Sequence, residues 1–412
     1  MNKQRYDVLF LGGGTSCGYA AAAFRERDKE STVAIVTAED QPPYDRPPLS
    51  KKFIVREDFV PEDIHAKDPS FYKDNNIDLF LQERIAQLDA ESREVVLESG
   101  HRLEYGKALY ALGSSPIEIP ELLQGESATL RTTQDGLKIR RQLAGAKTVA
   151  IVGGGYIGAE AAAALLDKGL AVTIVERGPH LWSRFESREV AQAVHAYLEQ
   201  RGARILVNTT AVERKPGVLV TSDGNEVPAD FVLLGVGARP NVDVARAAGL
   251  EMGESGVQAN SNLRTSDERI WVAGDVAEYP DVVCGRTVRI EHHLHAKWTG
   301  EKAGAALAGE TSAYRRVPYF FSDVGELSMI LRGDPRPDHQ VFTFGDPRAP
   351  LISQVFLDPG GIVRGFIDLR KDYKAQEPLD EMFEQMILAQ KNLSDRIEDL
   401  QKPSFDLLDL NG

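Results

Sequence analysis

The sequence predicts an α/β fold: two Rossmann-like dinucleotide-binding domains followed by a C-terminal α+β domain. Three observations predict it. A glycine-rich turn between an apolar strand and a helix occurs twice, about 140 residues apart. Strand-like and helix-like segments alternate from Tyr6 to about Ala308, as in a parallel sheet flanked by helices. From about residue 313 the alternation gives way to strands and tight turns.

The first glycine turn is Gly12-Gly13-Gly14-Thr15-Ser16-Cys17, reached from the apolar run Val8–Leu11. The second is Gly153-Gly154-Gly155-Tyr156-Ile157-Gly158, reached from Val149–Val152. In such a turn the first glycine bends the chain and the second lets the backbone approach a pyrophosphate. The third lets the helix lie close on the strand. The helix N-terminus then offers free N–H groups and a positive dipole end to the anion. The second copy is complete, with a helix expected over 159–167 and a strand over 171–175. Glu176 follows that strand, placed to accept from ribose hydroxyls. In the first copy Cys17 stands where the third glycine would be. A chain holding two dinucleotides passes electrons between them, so a flavoprotein driven by a nicotinamide cofactor is expected.

The remaining elements follow in order. Residues 32–36 give the second strand of the first unit. The stretch 41–51 carries Pro42, Pro43, Pro47 and Pro48, which exclude a helix and predict a rigid loop. Residues 77–110 read as short antiparallel strands, with a hairpin at Ser99-Gly100. Leu233–Leu234 ends an exit strand before the turn at Gly235–Asn241, and Ile270–Ala273 runs into Gly274-Asp275. Near the C-terminus, 354–357 and 365–369 are strands about the turn Asp358–Gly361. Leu379, Met382, Phe383, Met386 and Ile387 form one helical stripe. The expected domains are 1–116 and 245–312 for one dinucleotide, 117–244 for the other, and 313–412 at the C-terminus.

Composition narrows the function. The chain has 412 residues, 42% hydrophobic and 27% charged, as a globular protein has. A net charge of −14 argues against nucleic-acid and anionic-membrane partners. No apolar run approaches the ~18 residues of a spanning helix. The first strand begins near Tyr6, leaving no room for a signal peptide, and a cytoplasmic location is expected. Two cysteines, Cys17 and Cys284, make no disulfide framework.

With both fingerprints and the proline loop in hand, the chain resembles the FAD-dependent pyridine-nucleotide oxidoreductases of the glutathione-reductase structural type. It is most similar to their ferredoxin, rubredoxin and putidaredoxin reductase branch and to apoptosis-inducing factor. Pro43-Tyr44-Asp45-Arg46-Pro47-Pro48-Leu49-Ser50-Lys51 is the most specific element. Thr265 and Ile270–Asp275 resemble the family's second FAD motif. Arg289–Ala296 is similar to the corresponding stretch of apoptosis-inducing factor, and Tyr319–Asp323 resembles the segment that walls the flavin there. Cys17, Ala38 and Leu112 depart from it. Ala38 stands where relatives often carry a ribose-binding carboxylate, so that role passes to Glu39.

The resemblance implies FAD on Gly12, Gly14, Thr15, Ser16, Glu39, Arg46, Lys51, Asp275, Glu291, His292 and Phe321. It implies NADH, with NADPH possible, on Gly153, Gly155, Tyr156, Ile157, Gly158, Glu160, Glu176 and Gly237. Arg46 would meet the FAD phosphates or adenine edge, and Asp275 the ribityl chain. Lys51, paired with Glu160, would stand near the flavin N5, and these two are the expected catalytic residues. Glu160 would also orient the nicotinamide amide, and a helix over 294–307 would aim its N-terminus at the flavin. Phe321 would wall the ring, where relatives often place a tryptophan. His293 and His295 are expected to pack the helix or face solvent, and His180 and His195 to be structural or solvent-facing. No metal is expected, because His292, His293 and His295 lack a carboxylate or cysteine at fitting spacing.

Disulfide reductases of this fold carry two cysteines beside the flavin. Here that region is the proline loop and holds none, so electrons are expected to leave the flavin without a thiol relay. The expected function is transfer from NADH through FAD to a ferredoxin- or rubredoxin-type carrier, by a monomer or homodimer. Two alternatives stand beside it: a small acceptor such as a quinone or monodehydroascorbate, and a redox sensor like apoptosis-inducing factor.

Overall fold

The apolar run Tyr6–Leu11 is buried on both faces except at Asp7, which demands parallel neighbours with helices above and below. The computed structural model describes residues 4–346, 348–402 and 405–411. It divides into two compact units. One comprises Met1–Pro47, Val60–Ser115 and Ala238–Arg316, the other Pro48–Phe59, Pro116–Gly237 and Val317–Gly412.

In the first unit the strand Gln4–Leu11 lies between Val33–Val36 and Arg102–Tyr110, parallel to both. Ile77–Phe80 extends the sheet parallel to Val33–Val36, and Ile270–Val272 pairs parallel to Arg102–Tyr110. Placing all strands of 77–110 antiparallel is therefore incorrect for Ile77–Phe80. The helix Pro69–Asp74 precedes that strand, and a helical crossover returns the chain in the same direction. Ile85–Asp89, Glu94–Leu97 and Arg102–Tyr110 are antiparallel as expected.

Two helices pack face to face in this unit, Thr15–Arg25 and His293–Leu307. Glycine sets their approach. A Cβ on Gly300 would stand 2.4 Å from the Ser16 carbonyl oxygen, and one on Gly304 2.1 Å from that of Ala20. Only hydrogen fits at either position. Ser16 Oγ donates to the Ala296 carbonyl at 2.9 Å and ties the same pair together.

The second unit holds a five-stranded parallel sheet in the order Arg204–Leu206, Ala171–Val175, Thr148–Val152, Phe231–Leu234, Ser127–Thr129. The helix after its glycine turn spans Tyr156–Asp167 with Gly155 as N-cap, three residues earlier than the sequence predicts. Gly158 thus lies inside the first turn, where a Cβ would meet the Gly153 carbonyl oxygen at 2.1 Å. The proline loop also ends sooner than expected: Leu49–Phe53 forms a short helical turn. Prolines tolerated ahead of a helix start, where their missing N–H costs nothing, explain it.

The C-terminal segment of this unit folds as a five-stranded antiparallel sheet, ordered Tyr319–Val324, Leu327–Gly333, Val363–Arg370, Leu351–Leu357, Gln340–Asp346. The helix Glu377–Leu388 buries its apolar stripe on it. Phe383 stacks on Phe366 with ring centroids 4.1 Å apart. No helix among the described residues is long and apolar enough to cross a membrane.

Candidate functional site

The first unit assembles an anion cradle from four segments. Gly12 makes the turn at φ +126°, and a Cβ there would strike the Ala111 carbonyl. Gly13 lies under Thr37, whose side chain fills the place of a Cβ. Gly14 is different: its nearest neighbour would be Arg46 Nη2 at 3.9 Å. Its open face therefore looks toward a guanidinium across the start of the helix.

Arg46 bonds the Glu39 carboxylate at 2.7 Å and lies 5.1 Å from the Tyr44 ring centroid. Burial opposes its charge, but Tyr44, Glu39 and Asp275 outweigh that and hold it above its ordinary range. Asp275 is 9% exposed, in a 3-10 turn opened by Gly274 at φ +73°. Gly274 N donates to Thr299 Oγ1 at 3.0 Å, which fixes that turn on the His293–Leu307 helix.

Thr15 and Ser16 spend their side chains on structure. Thr15 Oγ1 donates to the Tyr44 carbonyl at 3.3 Å, and Ser16 Oγ is on Ala296. What they can offer a ligand is backbone N–H. Glu291 pairs with Arg289, which also donates to the Asp275 carbonyl at 2.9 Å. His292 is the N-cap of its helix. Open glycine, helix N-terminus, half-buried guanidinium and buried aspartate fit a pyrophosphate with a polyol chain.

His293 lies 3.8 Å from Asp45, whereas His295 is 3% exposed and stacks on Tyr279 at 5.9 Å. Burial pushes its imidazole down to about 4, against the opposing charge of Asp275. The unfolded chain, with an ordinary imidazole near ~6.5, then binds more protons than the folded one between these values. Stability is lost as pH falls through that window, by about 3 kcal/mol at its foot. His295→Phe keeps the ring and removes the proton site. Urea unfolding at neutral pH and near pH 4 should show a smaller acid loss in the variant than in the parent. Equal losses would assign the acid sensitivity to other groups.

The second unit repeats the cradle. Gly153 has φ +104° and its Cβ would meet the Gly235 carbonyl at 2.4 Å, while around Gly155 nothing lies within 4 Å. Glu176 ends the Ala171–Val175 strand. Each of its carboxylate oxygens accepts one backbone N–H at 2.6 Å, from Gly154 and from Gly178. Each keeps a further lone pair, so the carboxylate can brace the glycine turn and still receive ribose hydroxyls. Gly237, at φ +115°, accepts from Ile117 N at 2.9 Å. Tyr156 packs against Phe320 at 4.4 Å and Trp182 at 5.0 Å, and Ile157 is 44% exposed.

In the same unit Lys51 and Glu160 meet, with Nζ 3.2 Å from Oε1. Glu160 is buried and heavily supported. Ser322 Oγ donates to Oε1 at 2.7 Å, Asp323 N to Oε1 at 3.3 Å, and Ser50 Oγ to Oε2 at 2.5 Å. Lys51 also faces Asp323 at 3.8 Å and the Phe321 ring at 5.7 Å. Sequence reasoning missed Ser50, Ser322 and Asp323 as members of this group. All three sit inside the quoted motifs, and their hydrogen-bonding type beside Lys51 and Phe321 was the available signal. Neither Cys17 nor Cys284 is in a disulfide, and Cys17 is fully buried, its thiol pushed far up by burial.

Residues 6–300 match the model of the pyridine nucleotide-disulphide oxidoreductase family. The chain belongs to that family. Two curated relatives are similar over most of their length. The ferredoxin–NAD(+) reductase component of the anthranilate 1,2-dioxygenase system of Burkholderia cepacia is 31% identical, over 82% of this chain and 87% of its own. The rubredoxin–NAD(+) reductase of Pseudomonas putida is 30% identical, over 78% and 85%. Among solved structures, the ferredoxin reductase for the CYP199A2 system of Rhodopseudomonas palustris superposes with a TM-score of 0.89 at 28% identity, covering 98% of this chain and 100% of that one. Membership makes this oxidoreductase FAD-dependent and a user of NAD(H).

Proposed function

We propose that this oxidoreductase passes electrons from NADH through FAD to a small ferredoxin- or rubredoxin-type carrier protein. The observation that carries the reading is the pair of glycine cradles on one chain, each at a helix N-terminus with an open second glycine, Gly14 and Gly155. The names of the relatives support the carrier. FAD supplies the conversion of a hydride into electrons that leave singly. In the first unit Arg46 and Asp275 hold its phosphates and polyol. In the second, Glu176 orients the NADH ribose. Lys51, fixed by Glu160, contributes positive charge where negative charge builds during flavin reduction. The burial of Cys17 favours exit of electrons without a thiol relay.

Steady-state turnover with NADH tests the reading against a ferredoxin, a rubredoxin, a quinone and monodehydroascorbate. The expected result is saturable, rapid reduction of an iron–sulfur or rubredoxin carrier. Turnover with a small acceptor alone would replace the carrier. A long-lived reduced state that no acceptor discharges would favour a sensor. In the same assay kcat/KM should be higher for NADH than for NADPH, because the Glu176 charge repels a 2′-phosphate. Equal or reversed values would show that neighbouring Arg177 overrides that repulsion.

A further inference from the structure

The turn that presents Lys51 is clasped from a distant part of the sequence. Lys51 departs from helical geometry at φ −118°, ψ −109°, while its own N–H and that of Phe53 both donate to the Pro48 carbonyl at 3.1 Å. Beyond Phe53, the chain to Phe59 leaves carbonyls turned toward the helix Thr133–Gln142. Arg140 on that helix collects them. Its Nε donates to the Phe53 carbonyl at 3.0 Å, Nη2 to the same oxygen and to that of Phe59 at 2.8 Å, and Nη1 to that of Glu57 at 3.3 Å.

The Phe53 ring completes the clasp. It is fully buried and lies 4.8 Å from the Arg140 guanidinium. One helical turn earlier, on the same face, Gly136 leaves the space the ring occupies. A Cβ there would stand 2.6 and 2.7 Å from two ring carbons. The helix start is itself pinned by a reciprocal cap, with Asp135 N on Thr132 Oγ1 at 3.1 Å and Thr132 N on Asp135 Oδ2 at 2.8 Å.

We propose that Arg140 and Gly136 are positioning residues for Lys51, fixing the turn that sets its ammonium on Glu160. The glycine admits the Phe53 ring, and the guanidinium holds three carbonyls that no lysine could span in the same way. Phe53, the anchored residue, lies two positions after the charge it places, Lys51. The inference rests on the reading that Lys51 acts in flavin reduction.

The test is rapid mixing of the FAD-loaded protein with saturating NADH, following flavin bleaching in Lys51→Met, Arg140→Ala and the double variant. Lys51→Met is expected to slow bleaching. Arg140→Ala should slow it by about ten- to a hundredfold, as a misplaced group does, with NADH affinity kept. In the double variant Arg140→Ala should add almost nothing, since its effect passes through Lys51. Additive losses, or an unaffected Arg140→Ala beside a slow Lys51→Met, would overturn this proposal and leave the role of Lys51 standing. An unaffected Lys51→Met would instead overturn that role, and this proposal with it. Gly136→Ala and Arg140→Lys give the same comparison if Arg140→Ala fails to fold. Each is expected to slow bleaching in the parent and to have no further effect beside Lys51→Met.

Discussion

Gly304→Ala should strip the protein of FAD. The Cβ it adds stands 2.1 Å from the Ala20 carbonyl oxygen and 2.8 Å from the Ala20 Cα. Both are helix backbone, which cannot rotate aside as a side chain would. The helices Thr15–Arg25 and His293–Leu307 must therefore separate. Overpacking of this kind costs about 1–3 kcal/mol and occasionally more, and a rigid backbone obstacle places this case at the upper end. A loss of about 3 kcal/mol lowers the melting temperature of a domain of this size by roughly 6–12 °C.

The cofactor consequence of Gly304→Ala follows from what else spans the two helices. Ser16 Oγ to Ala296 and Gly274 N to Thr299 tie the first glycine turn and the Asp275 turn to His293–Leu307. Prying the helices apart thus moves Asp275 relative to Gly14, and the pyrophosphate and polyol contacts no longer suit one ligand. Flavin content after purification and the melting curve check this together. A yellow, fully loaded variant with an unchanged midpoint would mean that the helices do not pack at this separation.

The sequence carried the cradles because local chemistry dictates them. A buried strand, a glycine turn and a helix repeat at Val8–Leu11 and Val149–Val152, and no distant residue is needed to read them. Gly300 and Gly304 were illegible. Their meaning depends on Ser16 and Ala20, more than 280 positions earlier, and one helix alone does not say which face meets another backbone. The direction of Ile77–Phe80 was hidden for a related reason. Its neighbours across the sheet, not its composition, decide whether it runs parallel. At the Lys51–Glu160 pair, the motifs supplied both charges. The hydroxyls stood inside those motifs, but that they meet on one carboxylate was hidden, because Ser50, Glu160 and Ser322 converge from three separate segments.

Glu160→Gln should separate charge from scaffold. The amide oxygen can accept from Ser322, Asp323 N and Lys51 as Oε1 does, and the amide nitrogen can donate to Ser50 Oγ where Oε2 accepts. The Oε1 bonds all have counterparts. Only Ser50 changes, its hydroxyl now accepting while its own proton loses Oε2, so the fold should lose about 1–2 kcal/mol, less than in Glu160→Ala. The negative charge is gone, and the Asp323 carboxylate, 3.8 Å from the Lys51 ammonium, is a looser counter-charge. Flavin reduction by NADH should then slow by about a hundredfold, the scale of losing one preorganised electrostatic partner. FAD content should be unchanged, because Arg46 and Asp275 are untouched. Glu160→Ala is the contrast: it leaves the buried hydroxyls of Ser50 and Ser322 without an acceptor, costing about 1–3 kcal/mol for each group so stranded. It should therefore be slow and also less stable. Rapid-mixing rates and urea midpoints for the two variants decide between the roles. A Glu160→Gln enzyme that reduces its flavin at the parental rate would make the carboxylate a structural bridge, with no share in placing Lys51 for the reaction.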